Sequence, residues 1–202
     1  MNRDNPWVSI WLRPSDTIRE VLDQPMKWPL ILVLLSGIVT MLDYLSNRSW
    51  GDFSPIILLL LGAIVIGPIA GLVGWFIGGG IFYGMARLFG GVGDFHETLK
   101  AVSWSLIPIV VKGTLWLPLL LIYGREMFTS DTPVMASSFV LTILFLFISL
   151  LDLVVMVWQV VILSHAIGEV HAFSAWKGFA SVISVPLAFV LLLFIISGLI
   201  YG

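Results

Sequence analysis

The sequence predicts an all-α protein, a polytopic membrane helical bundle with five transmembrane helices and an interfacial amphipathic helix ahead of them. Three observations carry this. The 202 residues are 59% apolar and 11% charged, with a mean hydropathy of +1.06, against about 45–50% and about 25% in soluble domains. The apolar residues fall into long runs closed by Pro, Gly or charged clusters. The only long polar stretch is residues 1–28. Since a membrane helix uses roughly 20 residues, five spans and their connectors consume nearly the whole chain. No separate catalytic or nucleic-acid-binding domain fits. A net charge of −2 without a basic surface excludes nucleic acid as a partner. The absence of cysteine excludes disulfides, thiolate catalysis and Cys-ligated metals, and no cofactor is expected.

Residues 1–28 form the expected cytoplasmic tail, with Arg3, Arg13, Arg19 and Lys27 set against Asp4, Asp16, Glu20 and Asp23. Trp7, Ile10 and Trp11 make one helical stripe, and Ile18, Val21 and Leu22 another, as in a helix lying at the headgroup level. Two helix starts are open. Pro14 suits a first turn, and Thr17-Ile18-Arg19-Glu20 fits a capping box.

The membrane domain, 29–202, reads as spans over 29–45, 55–85, 101–123, 136–165 and 178–200. The first apolar run begins too far from the start for a secretory signal, so it is a retained helix. The second and fourth exceed the hydrocarbon thickness and must tilt, kink or project, with Gly67-Pro68 the expected kink in the second. Gly67/Gly71, Gly74/Gly78 and Gly80/Gly84 recur at a four-residue spacing, which permits close helix contact. We read these glycines as a packing face, through which the chain could also pair with itself, rather than a ligand cleft.

Lys and Arg flanking the spans set the orientation. With the N-terminus cytoplasmic, that side carries the four tail cations, Arg87, Lys100 and Lys177, and the other only Arg48 and Arg125. The expectation is an N-inside, C-outside protein of the cytoplasmic membrane.

Charged residues within apolar runs mark where chemistry could sit. Asp43 lies at the outer end of its helix, within reach of water. Lys112 and Asp152 both fall near mid-bilayer by residue count and have opposite signs, so they are expected to pair. Gln159, two turns beyond Asp152 on the same face, extends the polar stripe. The bland reading is a structural ion pair that fixes helix register; the sharp one is a relay or substrate point in the membrane. We take the first as leading.

Two cytoplasmic connectors, Gly90-Gly91-Val92-Gly93-Asp94-Phe95-His96-Glu97-Thr98-Leu99-Lys100 and His165–Lys177, gather three histidines and several carboxylates. His96, His165, Glu169 and His171 are of the right types to ligate a divalent metal, but His-Glu-x-x-His is absent. Helix capping by Asp94 or Ser174 and headgroup contact are the favoured roles. Gly91-Val92-Gly93-Asp94 also matches the Gly-x-Gly-Asp of intramembrane aspartyl proteases. That chemistry needs a carboxylate dyad, and neither Asp43 nor Asp152 is placed to complete one with Asp94.

Gly90-Gly91-Val92-Gly93-Asp94-Phe95, followed by Trp104-Ser105-Leu106-Ile107-Pro108, resembles the second connector and third span of the Ypt-interacting protein (Yip) domain family. Gly168-Glu169-Val170-His171-Ala172-Phe173-Ser174, with Trp158 before it and Trp176-Lys177 after, is similar to that family's fourth connector. Trp11-Leu12-Arg13-Pro14-Ser15-Asp16-Thr17-Ile18-Arg19 resembles the opening of its prokaryotic members. The resemblance covers most of the chain and implies five spans with a cytoplasmic N-terminus. Eukaryotic relatives bind Rab-type GTPases and one another through a longer tail; the short tail here weighs against Rab binding and suits a bacterial-type inner-membrane member. The resemblance brings no catalytic residue.

The sequence thus leads to a non-enzymatic integral membrane protein that binds other membrane proteins or lipids through its cytoplasmic face. The alternative is a transporter or channel for a proton, small solute or lipid, using Lys112, Asp152 and Gln159.

Overall fold

The computed structural model describes residues 5–201, all helix and connector with no strand among them. Arg3 and Asp4 of the tail lie outside the described residues. The tail forms α1 (Pro6–Leu12) and α2 (Pro14–Val21). Asn5 caps α1, its side-chain oxygen accepting the Trp7 N–H, and Pro14 occupies the first turn of α2. Pro14 is therefore the start signal. Thr17 lies inside α2, its hydroxyl donating to the Arg13 carbonyl at 2.9 Å.

Four segments are long and apolar enough to cross a membrane: Lys27–Asn47, Ile56–Leu88, Phe95–Phe128 and Phe139–Val170. The first is α3 and the second α4. The third is built of α5 (Phe95–Trp104), α6 (Ile107–Lys112) and α7 (Trp116–Tyr123), with 3-10 turns at Gly113–Leu115 and Gly124–Phe128. After the short α8 (Pro133–Ala136), the fourth is α9 (Phe139–Val170). The last helix, α10 (Ala175–Tyr201), occupies the fifth expected segment.

Three boundaries differ from the sequence reading. The expected span 101–123 is a broken rod: Pro108 and Pro118 have no N–H to give the turn before them, and each lies in the first turn of the helix that follows an interruption. Pro68, by contrast, leaves α4 uninterrupted. And α9 continues through Gly168 to Val170, so His165 and Glu169 are helical rather than in a connector.

The chain divides into two compact units. One comprises the tail to Gln24, Phe76–Ser105 and the chain from Val160 onward; the other comprises Pro25–Trp75 and Leu106–Gln159. In the second unit α3 meets α4 backbone to backbone. A Cβ on Gly67 would sit 2.8 Å from the Gly37 carbonyl oxygen, and one on Gly71 2.9 Å from Gly37 Cα. Helices in lipid gain nothing from hydrophobic exclusion, so contact of this closeness is what holds them together.

The six paired glycines of α4 do not make one packed face. Gly67 and Gly71 meet α3, and Gly80 is in ordinary contact with Phe95, while among the described residues nothing lies within 4 Å of a Cβ placed on Gly74, Gly78 or Gly84. Thirteen residues separate Gly67 from Gly80. At 3.6 residues per turn that puts the last pair on the opposite side of the helix.

Candidate functional site

In the first unit the two glycine-bearing segments are a pair of helix corners. At the end of α4, the Gly91 N–H bonds the Ala86 carbonyl at 2.9 Å and the Gly90 N–H bonds Arg87 at 3.1 Å, with Gly90 at φ +84°. This Schellman ending needs a left-handed residue, which glycine supplies. Gly91 and Gly93 serve a different purpose, close approach: a Cβ on Gly91 would lie 2.6 Å from His171 Nδ1, and one on Gly93 would strike Val170. Asp94 then opens α5 with a reciprocal capping box. Its carboxylate accepts the Glu97 N–H at 2.7 Å, and Glu97 accepts the Asp94 N–H at 3.2 Å.

The second corner repeats the device. At the end of α9 the Phe173 N–H reaches back to the Gly168 carbonyl and the Ala172 N–H to Glu169. The left-handed position is an alanine, Ala172, at φ +54°. Ser174 accepts the Lys177 N–H at 3.4 Å to begin α10. The Val92 N–H bonds the His171 carbonyl and joins the two corners.

His171 is the core of this joint. It is 1% exposed and stacks on Phe173 with ring centroids 5.8 Å apart. The Thr98 hydroxyl donates to the Asp94 carbonyl at 2.7 Å, so it can only accept from the His171 Nε2 beside it at 3.0 Å. That assigns the proton to Nε2 and leaves the buried Nδ1 without a partner. Burial first, and the charge of Arg87 second, hold the imidazole below its ordinary value of 6.5, with Glu97 opposing them.

The tail is tied to the same unit. Arg19 donates to both oxygens of Glu169, at 2.7 and 3.1 Å. Ser15 pairs with His165 Nδ1 at 2.9 Å, and the Lys100 ammonium donates to the carbonyls of Leu22 and Gln24. Ile10, Ile18 and Val21 are fully buried beneath these bonds, each such side chain worth about 1.5–3 kcal/mol. Of the four residues weighed as metal ligands, His165, Glu169 and His171 bond other groups and His96 is exposed at the start of α5. No three His, Asp or Glu converge on a metal-sized point among the described residues.

In the second unit the charged residues of the apolar runs come together. Lys112 Nζ lies 2.6 Å from Asp43 Oδ2 and 2.7 Å from Asp152 Oδ1. The other Asp43 oxygen accepts the Trp116 indole N–H at 3.1 Å. Asp43 is thus a second counter-ion to Lys112 rather than a carboxylate left to water, and it sits one turn from the Asn47 end of α3. Its place among helix-end charges concealed this in the sequence, where only its sign and distance from Lys112 could have suggested it.

A cleft of about 400 Å³ opens over the trio. Ser46, Ser149 and Gln159 add polar groups, and Phe145, Ile148 and Met156 line it with apolar ones. The Lys112 side chain is 13% exposed, Asp43 29% and Asp152 54%. Two carboxylates face one ammonium, which leaves a formal charge of −1 over the trio.

No curated protein and no solved structure matches the chain. A family model of the Yip1 domain does, over residues 8–197, which takes in the docked tail, both corners and all three charged residues of the cleft. The chain belongs to the Yip1 domain family of membrane proteins.

Proposed function

We propose that this is a non-enzymatic five-span protein of the cytoplasmic membrane, N-terminus inside and C-terminus outside, that binds other membrane proteins or lipids through the face made by its tail and paired corners. The observation that carries this reading is the polar tying of that face. Arg19 to Glu169, Ser15 to His165 and Lys100 to the Leu22 and Gln24 carbonyls fix the tail over its buried Ile10, Ile18 and Val21. On the same unit Leu12, Leu88, Val92 and Trp176 remain exposed, and large apolar side chains held open on an ordered surface are what a partner or a headgroup layer covers. Gly74, Gly78 and Gly84, the three paired glycines of α4 left open, are a second surface through which that partner could be another copy. Photo-reactive residues at Leu12, Val92 and Trp176, cross-linked in native membranes at near-native expression, should capture proteins or lipids; monomer alone would refute the reading.

The trio in the second unit favours a second reading, transport of a proton, small solute or lipid past Lys112, Asp152 and Gln159. Flux into liposomes that is lost on Asp152→Asn with the fold intact would support it, and no flux of protons, ions or labelled lipid would remove it.

A further inference from the structure

We infer that the Asp43–Lys112–Asp152 cleft is a binding site for the primary ammonium of an amine-bearing membrane lipid, with Asp152 as its ligand. This goes beyond docking at the corners, and it stands whether or not anything crosses the membrane. Charge gives the sign of the ligand. Lys112 is shared between two carboxylates, so one negative charge is left over, and no other Lys or Arg lines the cleft.

Geometry gives the contact atom. Asp43 is fully engaged, one oxygen on Lys112 and the other on the Trp116 indole. Asp152 offers Lys112 only Oδ1. Its Oδ2 remains for a donor, and more than half of the side chain is exposed. A primary ammonium has three N–H groups to place, and Ser149 and Gln159 of α9 supply further oxygens around the carboxylate.

The lining gives the rest of the molecule. Phe145, Ile148 and Met156 alternate with the polar groups along α9, and the most apolar stretch of that helix carries no buried residue. An occupant can therefore enter from the bilayer and leave its chain there. A hydrocarbon-anchored amine satisfies both halves of the lining; a free amine uses only one. The end of α3 at Ser46 and Asn47 belongs to the cleft as well, which puts its polar mouth where a headgroup rather than an acyl chain would sit.

The test is native mass spectrometry of the full-length protein, released from nanodiscs containing equal phosphatidylethanolamine, phosphatidylcholine and phosphatidylglycerol. Phosphatidylethanolamine should be retained about tenfold over the other two, the worth of one charge-assisted hydrogen bond. Asp152→Asn, which keeps the shape and an acceptor for Lys112, should abolish the preference. Asp43→Asn, which removes the surplus charge without touching the contact atom, should abolish it too and covers the case in which the first variant does not fold. Dodecylamine should displace the lipid and ethanolamine should not. Equal retention of the three lipids, a preference that survives both substitutions, displacement by ethanolamine as readily as by dodecylamine, or a second copy cross-linked to position 149 in place of lipid would each overturn the proposal. Preference without flux would retire transport and leave this site standing, and flux without preference would do the reverse.

Discussion

The two units are assembled with a different emphasis. In the first, segments far apart in sequence are joined by directional polar bonds: a bidentate Arg19–Glu169 pair, a lysine on two carbonyls and a buried histidine on a threonine. In the second, α3 meets α4 sterically and Trp116 stacks on an aromatic ring, while the long-range directional bonds gather in its connectors, Arg125 on the Gly51 carbonyl and Ser46 on that of Met127. Gly37 lies on Gly67 and Gly71, Trp116 stacks on Phe128 at 5.4 Å, and one group of charges is packed among them. Where water is at hand, a polar tie is cheap to form and weak. Where it is absent, shape does the joining and any charge must bring its own partner. Mutations should therefore divide by the kind of join they break, not by exposure alone.

Lys112→Ala should have the largest effect. It leaves Asp43 and Asp152 facing each other without a cation, and removing one partner of a buried pair costs about 3–5 kcal/mol. With Asp152 half exposed, the lower end of that range is expected in denaturation of the detergent-solubilised protein. The Lys112→Ala, Asp152→Ala double variant should lose less than the two singles summed; strict additivity would mean the pair is not coupled. Next comes Gly37→Ala. Its new methyl would strike the Gly67 carbonyl, backbone that cannot swing aside, and overpacking of this kind costs about 1–3 kcal/mol.

In the first unit the effects are smaller and depend on the solution. His171 is held below its unfolded value of 6.5, so the unfolded chain takes up a proton before the folded one. Its stabilisation is complete above that pH and is lost as pH falls toward the lower folded value, with a slope of at most about 1.4 kcal/mol per pH unit. Melting at a series of pH values should show this, and His171→Phe, which keeps a ring on Phe173, should flatten the profile. Ala172→Gly should raise stability by up to about 1 kcal/mol, because alanine holds a left-handed conformation at φ +54° that glycine adopts freely. Arg19→Ala should matter least. Its exposed pair with Glu169 is open to screening, and any loss of melting temperature should vanish in high salt.

Much of this was legible in the sequence, for identifiable reasons. Apolar runs bounded by Pro, Gly and charge located the helices, and Asp94 announced its own cap, because those signals act within a few residues. The Gly90–Asp94 and Gly168–Ser174 segments carried the family resemblance because each position there has a backbone duty: a left-handed turn, a close approach or a helix start. What stayed hidden depended on partners distant in sequence. Nothing local showed that Asp43 would share Lys112, that three pairs of glycines would point in different directions, or that Gly168 would remain in a helix that an alanine ends four residues later. The breaks ahead of Pro108 and Pro118, against the unbroken helix at Pro68, likewise show that a proline alone does not mark where a helix is interrupted.

Lys100 has a consequence of its own. Its ammonium is the clasp on the turn that follows α2, donating to the Leu22 and Gln24 carbonyls, and an ammonium, unlike an apolar contact, can be chemically erased. Acetylation of that single amine would take away its charge and leave one N–H where there were three. The tail would then lose its tie at this turn and keep those of Arg19 to Glu169 and Ser15 to His165.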